Sequence, residues 1–225
     1  MLRKRVNLIF DTETVDTVEP LIYDIGWYVV DKRGNVLGKS RSLIQEVITN
    51  PDAMRKAFYH RKVFTEYLPM LDNSPHRIIR PWDSMMRLLR ADMDMFKVNI
   101  VSAYNLPFDV RAMRYTARYC EGSKTMVRPV DRLCLWNWAC KDIFNRPTYR
   151  AMAIANGWTT PSGNLRTTAE HAYRYITNQP DYIEPHTALE DSEIEAAIYH
   201  RLVRSKRAIP YNVTHGSPWR FVKGV

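Results

Sequence analysis

The chain of 225 residues has only three cysteines and no long apolar run. Cys120, Cys134 and Cys140 are odd in number and form no CxxC pair, which excludes a disulfide framework or a cysteine-based zinc site. No apolar run approaches the roughly 18 residues needed to cross a bilayer. The apolar run over residues 6–10 ends at Asp11 and is too short for an export signal. We therefore expect a cytoplasmic protein with reduced thiols and no membrane-bound part.

No internal repeat and no low-complexity linker divides the chain. Its length and its 45% hydrophobic content suffice for one folded domain with a substantial core. Short apolar runs that end in turns alternate with segments of helical periodicity, which is typical of an α/β fold. Periodicity is lost beyond Arg204. The sequence predicts one domain over residues 1–205 and a basic C-terminal tail over residues 206–225.

Five strands and several helices are predicted. The strands fall at residues 6–10, 21–30, 36–48 and 98–101 and within 127–136. One helix is predicted at residues 53–59, a second begins at Pro81, and a third follows the fourth strand and ends at about Tyr119. Further helices lie between residues 137 and 176, and the last helix runs from Thr187 to about Arg204. Thr187 and Glu190 form a capping-box pattern, which sets the start of the last helix beside His186.

The charge of the chain is strongly basic. Lysine and arginine number 33 against 24 acidic residues, a formal net charge of +9. Such an excess attracts polyanions, nucleic acid before anionic membrane, although a basic soluble protein without either partner has the same composition. Against this basic background, acidic residues cluster in three short motifs. That contrast indicates sites for metal ions.

The first acidic motif is Asp11-Thr12-Glu13, directly after the first strand. Two carboxylates at this spacing lie on the same face of a strand. Their mutual repulsion is costly when they are buried, and a divalent cation reverses the sign of that effect. A solvent-facing acidic turn is the alternative.

The second and third motifs lie beside helix starts. Asn105 to Asp109 follows the fourth strand, and His186 precedes Asp191 by five residues at the start of the last helix. Taken singly, a helix-start acid or a lone histidine needs no functional explanation. Open α/β sheets carry their sites at strand ends, where all three motifs can converge. The combination predicts a two-metal site with a general base, and therefore phosphodiester hydrolysis.

The three motifs resemble those of the DEDDh family of 3′–5′ exonucleases, on a ribonuclease H-like fold. The resemblance covers about residues 6–204 and implies a central mixed five-stranded sheet flanked by helices. It implies that two Mg²⁺ or Mn²⁺ ions are held by Asp11, Glu13, Asp109 and Asp191. It also implies that His186 is the general base. The products would be nucleoside 5′-monophosphates.

Two positions depart from the family pattern. The first motif continues as Thr14-Val15-Asp16 instead of Thr-Gly, and Tyr104 stands where a histidine is common. Neither replaces a metal ligand or the base, so the departures concern the grip on the 3′ end. We expect the substrate contacts from Thr12, Tyr104, Asn105 and Phe108, with Phe108 as a core residue in the alternative interpretation.

Three functions are compatible with these residues. The favoured one is a 3′–5′ exodeoxyribonuclease that acts on single-stranded DNA with a free 3′ end. It would act alone or as the proofreading partner of a DNA polymerase, with a role in DNA repair or proofreading. The second is a 3′–5′ exoribonuclease on short or structured RNA. The third, a catalytically inactive nucleic-acid-binding module, is disfavoured because all four acids and the histidine are present.

Overall fold

The computed structural model describes residues 5–57, 65, 67, 78–122 and 130–222. The strands are β1 (Val6–Thr14), β2 (Ile22–Asp31), β3 (Val36–Ile44), β4 (Ile79–Arg80), β5 (Ile100–Ala103) and β6 (Asp131–Cys134). The helices are α1 (Gln45–Ile48), α2 (Pro51–Met54), α3 (Trp82–Met95), α4 (Leu106–Tyr119), α5 (Leu135–Lys141), α6 (Pro147–Ala155), α7 (Ala169–Thr177) and α8 (Ala188–Val203), followed by a 3₁₀ turn at Pro218–Phe221.

The strands form one mixed sheet in the order β4-β3-β2-β1-β5-β6. β1, β2 and β3 form an antiparallel meander, whereas β5 runs parallel to β1 and β6 runs parallel to β5. The carboxyl ends of β1, β5 and β6 therefore lie at the same edge. This is the edge at which the sequence places its acidic motifs.

The buried strand β1 contributes side chains alternately to two apolar layers, one on each face of the sheet. Leu8 and Phe10 join the layer that includes residues of α3 and α4, which we call the α4 face. Ile9 joins the layer that includes residues of α5 and α8, which we call the α8 face. Because neighbouring side chains of a strand point to opposite faces, Asp11 and Glu13 belong to the α8 face.

Helix α8 docks on β2 with unusually close backbone contact. A Cβ atom on Gly26 would lie 2.3 Å from the backbone nitrogen of Leu189, so this approach requires glycine. Ser192 Oγ accepts a hydrogen bond from the Asp11 N–H at 3.0 Å and lies 2.9 Å from the Gly26 carbonyl oxygen. One hydroxyl of α8 thus links the helix to both β1 and β2.

The N-terminus of α8 is fixed by a buried acid on β2. Asp24 Oδ2 accepts hydrogen bonds from the Ala188 N–H at 3.1 Å and the Tyr67 hydroxyl at 2.9 Å. Arg41 on β3 pairs with Asp24 and also with Glu190. Burial raises the pKa of Asp24, and the Arg41 guanidinium opposes that rise. The charge network ties the first turn of α8 to the sheet.

The predicted five-stranded sheet is corrected to six strands. The additional strand β4 is two residues long and pairs with the end of β3, and so short an edge strand has no periodicity to detect. The third predicted strand also ends early, at Ile44, where α1 begins. The end of the first predicted helix, beyond residue 57, and residues 127–129 of the segment predicted to contain the fifth strand lie outside the described residues.

The start of α8 agrees with the predicted capping box, but its hydrogen bonding differs. Thr187 is the N-cap residue, yet its hydroxyl donates to the Glu190 carboxylate at 2.6 Å and caps no backbone N–H. Cys134 and Cys140 are buried and Cys120 is half-buried.

The segment after α8 follows the surface of the domain. The Asn212 N–H donates to the Arg132 carbonyl at 2.7 Å, and Asn212 Oδ1 accepts from the Arg132 N–H at 2.9 Å. Pro218 is buried, and its 3₁₀ turn packs on α5. These contacts cover the edge of β6. The division into a domain over 1–205 and a tail over 206–225 stays a prediction.

Within the described part of the chain, no helix has both the length and the apolar character of a membrane span.

Candidate active site

The acidic motifs meet where β1 and β5 end. Asp11 and Glu13 lie on β1, opposite Gly26 and Asp24 of β2. Glu13 is buried and Asp11 is half-buried, so neither belongs to a solvated acidic turn. The sheet register and the contact from Ser192 fix the backbone at this point.

Asp109 approaches from the α4 face. It lies in the first turn of α4 and is 4% exposed. Thr12, which points to this face, donates a hydrogen bond from Oγ1 to Asp109 Oδ1 at 2.8 Å. Thr12 was predicted as a substrate contact, and its hydroxyl also orients a predicted metal ligand. Substrate contact by the rest of Thr12 stays a prediction.

Asp191 and His186 approach from the α8 face. Each of Glu13, His186 and Asp191 offers one ligand atom, and these atoms all lie within 4.8 Å of one another. His186 adopts a left-handed backbone conformation with φ of 58°, which is uncommon for a non-glycine residue. The chain turns sharply here before α8 begins. The turn brings the imidazole to the carboxylates from a loop.

The carboxylates share one buried, electronegative environment. Burial, followed by repulsion from Asp24, raises the pKa of Glu13 to about 8, and burial raises the pKa of Asp109 to about 7. Burial, followed by repulsion from Glu184 and Glu13, raises the pKa of Asp191 to about 10. The pKa of Asp11 rises well above its usual range for the same reasons. The protein therefore strongly favours added positive charge at this position.

The residues present fit a divalent metal centre. Within the described part of the chain, Asp191 Oδ1 is buried and has no hydrogen-bond partner. Carboxylate oxygens are the ligands that Mg²⁺ and Mn²⁺ prefer. A cation between these groups would remove the repulsion that burial imposes on them.

A cleft of about 320 Å³ opens beside the carboxylates. Its walls include all four predicted substrate contacts, Thr12, Tyr104, Asn105 and Phe108. Tyr104 is 9% exposed and its hydroxyl donates to the Thr167 carbonyl, so its ring is fixed in the wall. Asn105 is exposed at the N-terminus of α4. Phe108 is half-buried, which is intermediate between the two alternatives for it.

A second hollow, of about 530 Å³, adjoins the cleft at Thr12 and Phe108. It is lined by residues 12–17 together with Lys56 and Phe108. Arg111 lies over the Phe108 ring at 5.4 Å and donates to the Thr17 carbonyl. The departure from the family pattern at Thr14-Val15-Asp16 thus forms a wall of this hollow.

Six residues that line the cleft were not predicted from the sequence: Trp136, Thr167, Thr168, Ala169, Glu184 and Glu195. Trp136 is half-buried, and its Nε1–H donates to Thr167 Oγ1 at 3.0 Å. For Glu195 a signal existed, since it lies among the apolar positions of α8 that face the core.

Comparisons with known proteins match by fold and not by sequence. No protein-family model matches the chain, and no curated protein is significantly similar in sequence. Solved structures match in fold, and among them is the nuclease domain of a DEDDh family member. The chain therefore has the ribonuclease H-like α/β fold predicted from its motifs.

Two of these structures show how far the similarity in fold extends. The nuclease domain of 3′hExo, a DEDDh family member bound to rAMP, covers 95% of this chain and 99% of its own, with a TM-score of 0.61 and 9% identity. Exonuclease I of E. coli, in a zinc-bound complex with single-stranded DNA, covers 91% of this chain with a TM-score of 0.57 and 16% identity. The chain spans 41% of the Exonuclease I chain.

Proposed function

We propose that this protein is a divalent-metal-dependent 3′–5′ exonuclease that acts on single-stranded DNA. The observation that carries the proposal is the meeting of Glu13, His186 and Asp191 within 4.8 Å, on a fold shared with nucleases. Asp11 and Asp109 complete the set from the adjoining strand and helix. The basic surface of the chain suits a polyanionic substrate.

The carboxylates would hold the metal ions. Asp11, Glu13 and Asp191 would bind one ion, and Asp11 with Asp109 would bind the other. Two such ions, when bound, supply Lewis-acid stabilisation to the attacking and leaving oxygens of phosphodiester hydrolysis. The hydrogen bond from Thr12 and the backbone contact from Ser192 would keep Asp109 and Asp11 in place during the reaction.

His186 would act as the general base. Its imidazole lies beside Glu13 and Asp191, so it can accept a proton from a water molecule held at those carboxylates. Imidazole side chains as a class exchange protons near neutral pH, which suits this role. The proton would return to solvent through the open side of the cleft.

The substrate would enter through the two adjoining hollows. Their volumes lie at the scale of ligand pockets, about 300–1,000 Å³. Phe108 separates them and could stack on the terminal base, as aromatic residues do in single-strand binding proteins. Lys56 and the Arg111 beside Phe108 would contact phosphates. Exonuclease I, one of the similar structures, holds single-stranded DNA.

An exoribonuclease is the second candidate, and one observation favours it. The nuclease domain of 3′hExo, which matches this chain over nearly its whole length, was solved with the ribonucleotide rAMP. Both candidates use the same chemistry and differ in the sugar. A DNA polymerase as proofreading partner stays a prediction from the sequence.

A digestion assay tests the proposal. We expect a 5′-labelled single-stranded DNA to shorten stepwise from its 3′ end in Mg²⁺ or Mn²⁺, with nucleoside 5′-monophosphates as products. A chelator should stop the reaction, and circular single-stranded DNA should stay intact. Faster digestion of the RNA twin would favour the exoribonuclease. Binding without cleavage in either metal would leave only the inactive binding module.

A pair of variants on α8 controls the assay. Asp191→Asn should lower activity by about 10³-fold or more, because it removes a metal ligand worth several kcal/mol to the transition state. Glu193→Gln, two residues away and exposed, should retain wild-type activity. Full activity in Asp191→Asn would exclude the proposed metal site.

A further inference from the structure

Glu195 is a buried carboxylate at the cleft that lies outside the family motifs. It lies one helical turn after Asp191, so α8 presents both side chains on the same face. Glu195 is 2% exposed. Its Oε1 accepts a hydrogen bond from the Tyr104 N–H at 2.9 Å, which places the carboxylate at the carboxyl end of β5.

The carboxylate of Glu195 lies near other acids. Among the described residues, Glu195 Oε2 is buried and has no hydrogen-bond partner. Glu195 lines the cleft with Asp11 and Asp109, and it repels both of them. Burial, followed by repulsion from Asp109, raises the pKa of Glu195 well above its usual range.

The hydrogen bond from Tyr104 does not require a charged side chain. A glutamine at this position would accept the same hydrogen bond through its carbonyl oxygen and would avoid the repulsion from Asp11 and Asp109. An uncompensated carboxylate at this depth is costly to the fold. The position of Glu195 is therefore accounted for by a positive charge in front of Oε2.

We propose that Glu195 is a metal ligand that joins Asp11 and Asp109 at the second cation position. This inference rests on the proposed function only in taking the cleft as a divalent metal centre. The first position is the one that Asp11, Glu13 and Asp191 would hold, beside His186. The second lies between Asp11, Asp109 and Glu195, at the ends of β1 and β5. Asp11 belongs to both.

The additional carboxylate determines whether the second ion binds before or after the nucleic acid. Mg²⁺ and Mn²⁺ prefer six oxygen ligands, and two carboxylates leave most of that shell to water or to substrate phosphate. A third carboxylate raises the charge and the ligand count before any nucleic acid arrives. Both ions therefore bind to the free protein, without substrate.

Mn²⁺ binding to the full-length, metal-free protein tests the inference in the absence of nucleic acid. Calorimetry and the electron paramagnetic resonance signal of free Mn²⁺ give the number of bound ions and their affinities. We expect two ions for the wild type and for the exposed control Glu193→Gln. Glu195→Gln should keep one ion at near wild-type affinity and bind the other at least about 10-fold more weakly, a loss of about 1.4 kcal/mol.

Circular dichroism establishes that each variant is folded. If Glu195→Gln does not fold, Glu195→Asp replaces it, because it keeps the charge and draws the carboxylate back by one methylene. The same loss of the second ion is expected for it. Two ions bound to the folded variant, with both affinities within twofold of the wild type, would overturn the inference, as would a single ion bound to the wild type.

The digestion assay separates this inference from the proposed function. If the wild type degrades DNA and Glu195→Gln still binds two ions, the exonuclease stands and the role of Glu195 is wrong. If Glu195→Gln loses one ion but the wild type cleaves neither DNA nor RNA, the metal position stands and the proposed function is wrong.

Discussion

The two faces of the sheet contribute to the site by different means. The α4 face supplies Asp109, which Thr12 of β1 holds by a direct hydrogen bond between the two side chains. The α8 face supplies His186, Asp191 and Glu195, which all depend on how one helix docks. On the first face one direct contact between two side chains sets the geometry. On the second face, the contacts that dock the whole helix set it.

This difference shows where the site is most sensitive. Helix α8 keeps its place through Gly26, Ser192 and the charge network around Asp24. A substitution that disrupts any of these contacts should displace several cleft residues together. A substitution of Thr12 should displace Asp109 alone. Substitutions on the α8 face should therefore have the larger effects.

The largest effect is expected at His186, the one predicted catalytic group on a loop. His186→Ala should lower kcat by about 10²–10⁴-fold, because a general base contributes that much. Mn²⁺ affinity should change by less than about threefold, since carboxylates remain to bind the ions. Single-turnover digestion and Mn²⁺ calorimetry measure the two quantities.

The exposed histidine His215 gives the matched control, and His215→Gln should leave both quantities unchanged. A collapse of Mn²⁺ affinity in His186→Ala would make this histidine a metal ligand. The general base would then have to be sought elsewhere in the cleft.

A smaller effect is expected when the docking of α8 is weakened. Asp24→Asn leaves the buried Arg41 with Glu190 as its partner and weakens the contact with the α8 N-terminus. We expect a loss of about 3 kcal/mol in unfolding free energy, the scale for breaking a buried ion pair. Urea unfolding measures it. Asp52→Asn, in an exposed pair, should lose less than about 0.5 kcal/mol.

The digestion assay completes this comparison of Asp24 with Asp52. At a temperature where Asp24→Asn is folded, its activity should fall below that of Asp52→Asn, because His186 and Asp191 shift with α8. If the unfolding free energy of Asp24→Asn lies within about 0.5 kcal/mol of the wild type, the charge network around Asp24 does not hold α8 in place.

The smallest effect concerns pH, where the two faces titrate differently. The pKa is about 7 for Asp109 and about 10 for Asp191, against about 4 for an aspartate in an unfolded chain. Between about pH 4 and these raised values, the folded protein binds more protons than the unfolded chain, so its stability falls as pH rises. The metal-free protein should lose at least about 1 kcal/mol between about pH 5 and pH 7.

Variants assign this pH dependence to each face. Asp109→Asn should flatten the profile up to about pH 7, and Asp191→Asn should flatten it further into the alkaline range. Saturating Mn²⁺ should also flatten the profile, because the ions hold the carboxylates charged. A wild-type profile that both variants leave unchanged would contradict the cause assigned to the raised pKa values.

Much of the fold and the site could be predicted from the sequence. The motifs carrying Asp11, Asp109 and His186 stand at the ends of short apolar runs or at helix starts, where local pattern is informative. The first three strands and the last helix were predicted for the same reason. The structure brings the predicted acids together with the histidine, as the strand-end rule indicates.

The remaining features depend on tertiary contact. Glu195 stands among the apolar positions of α8, but its approach to the cleft is known only once the helix is docked on the sheet. The two-residue strand β4 exists only through pairing with β3. The role of Thr12 as a partner of Asp109 requires knowing that α4 passes over the end of β1. Neither β4 nor this role of Thr12 leaves a periodic signal in the sequence.

Gly26 has a consequence for how far this sequence can diverge. The separation of β2 and α8 is set by backbone against backbone, with no side chain between them at that point. Core residues elsewhere can therefore be exchanged at some cost in stability while the spacing across the cleft is kept. A protein built in this way can change many of its side chains and keep its shape, provided that a glycine stays at this position.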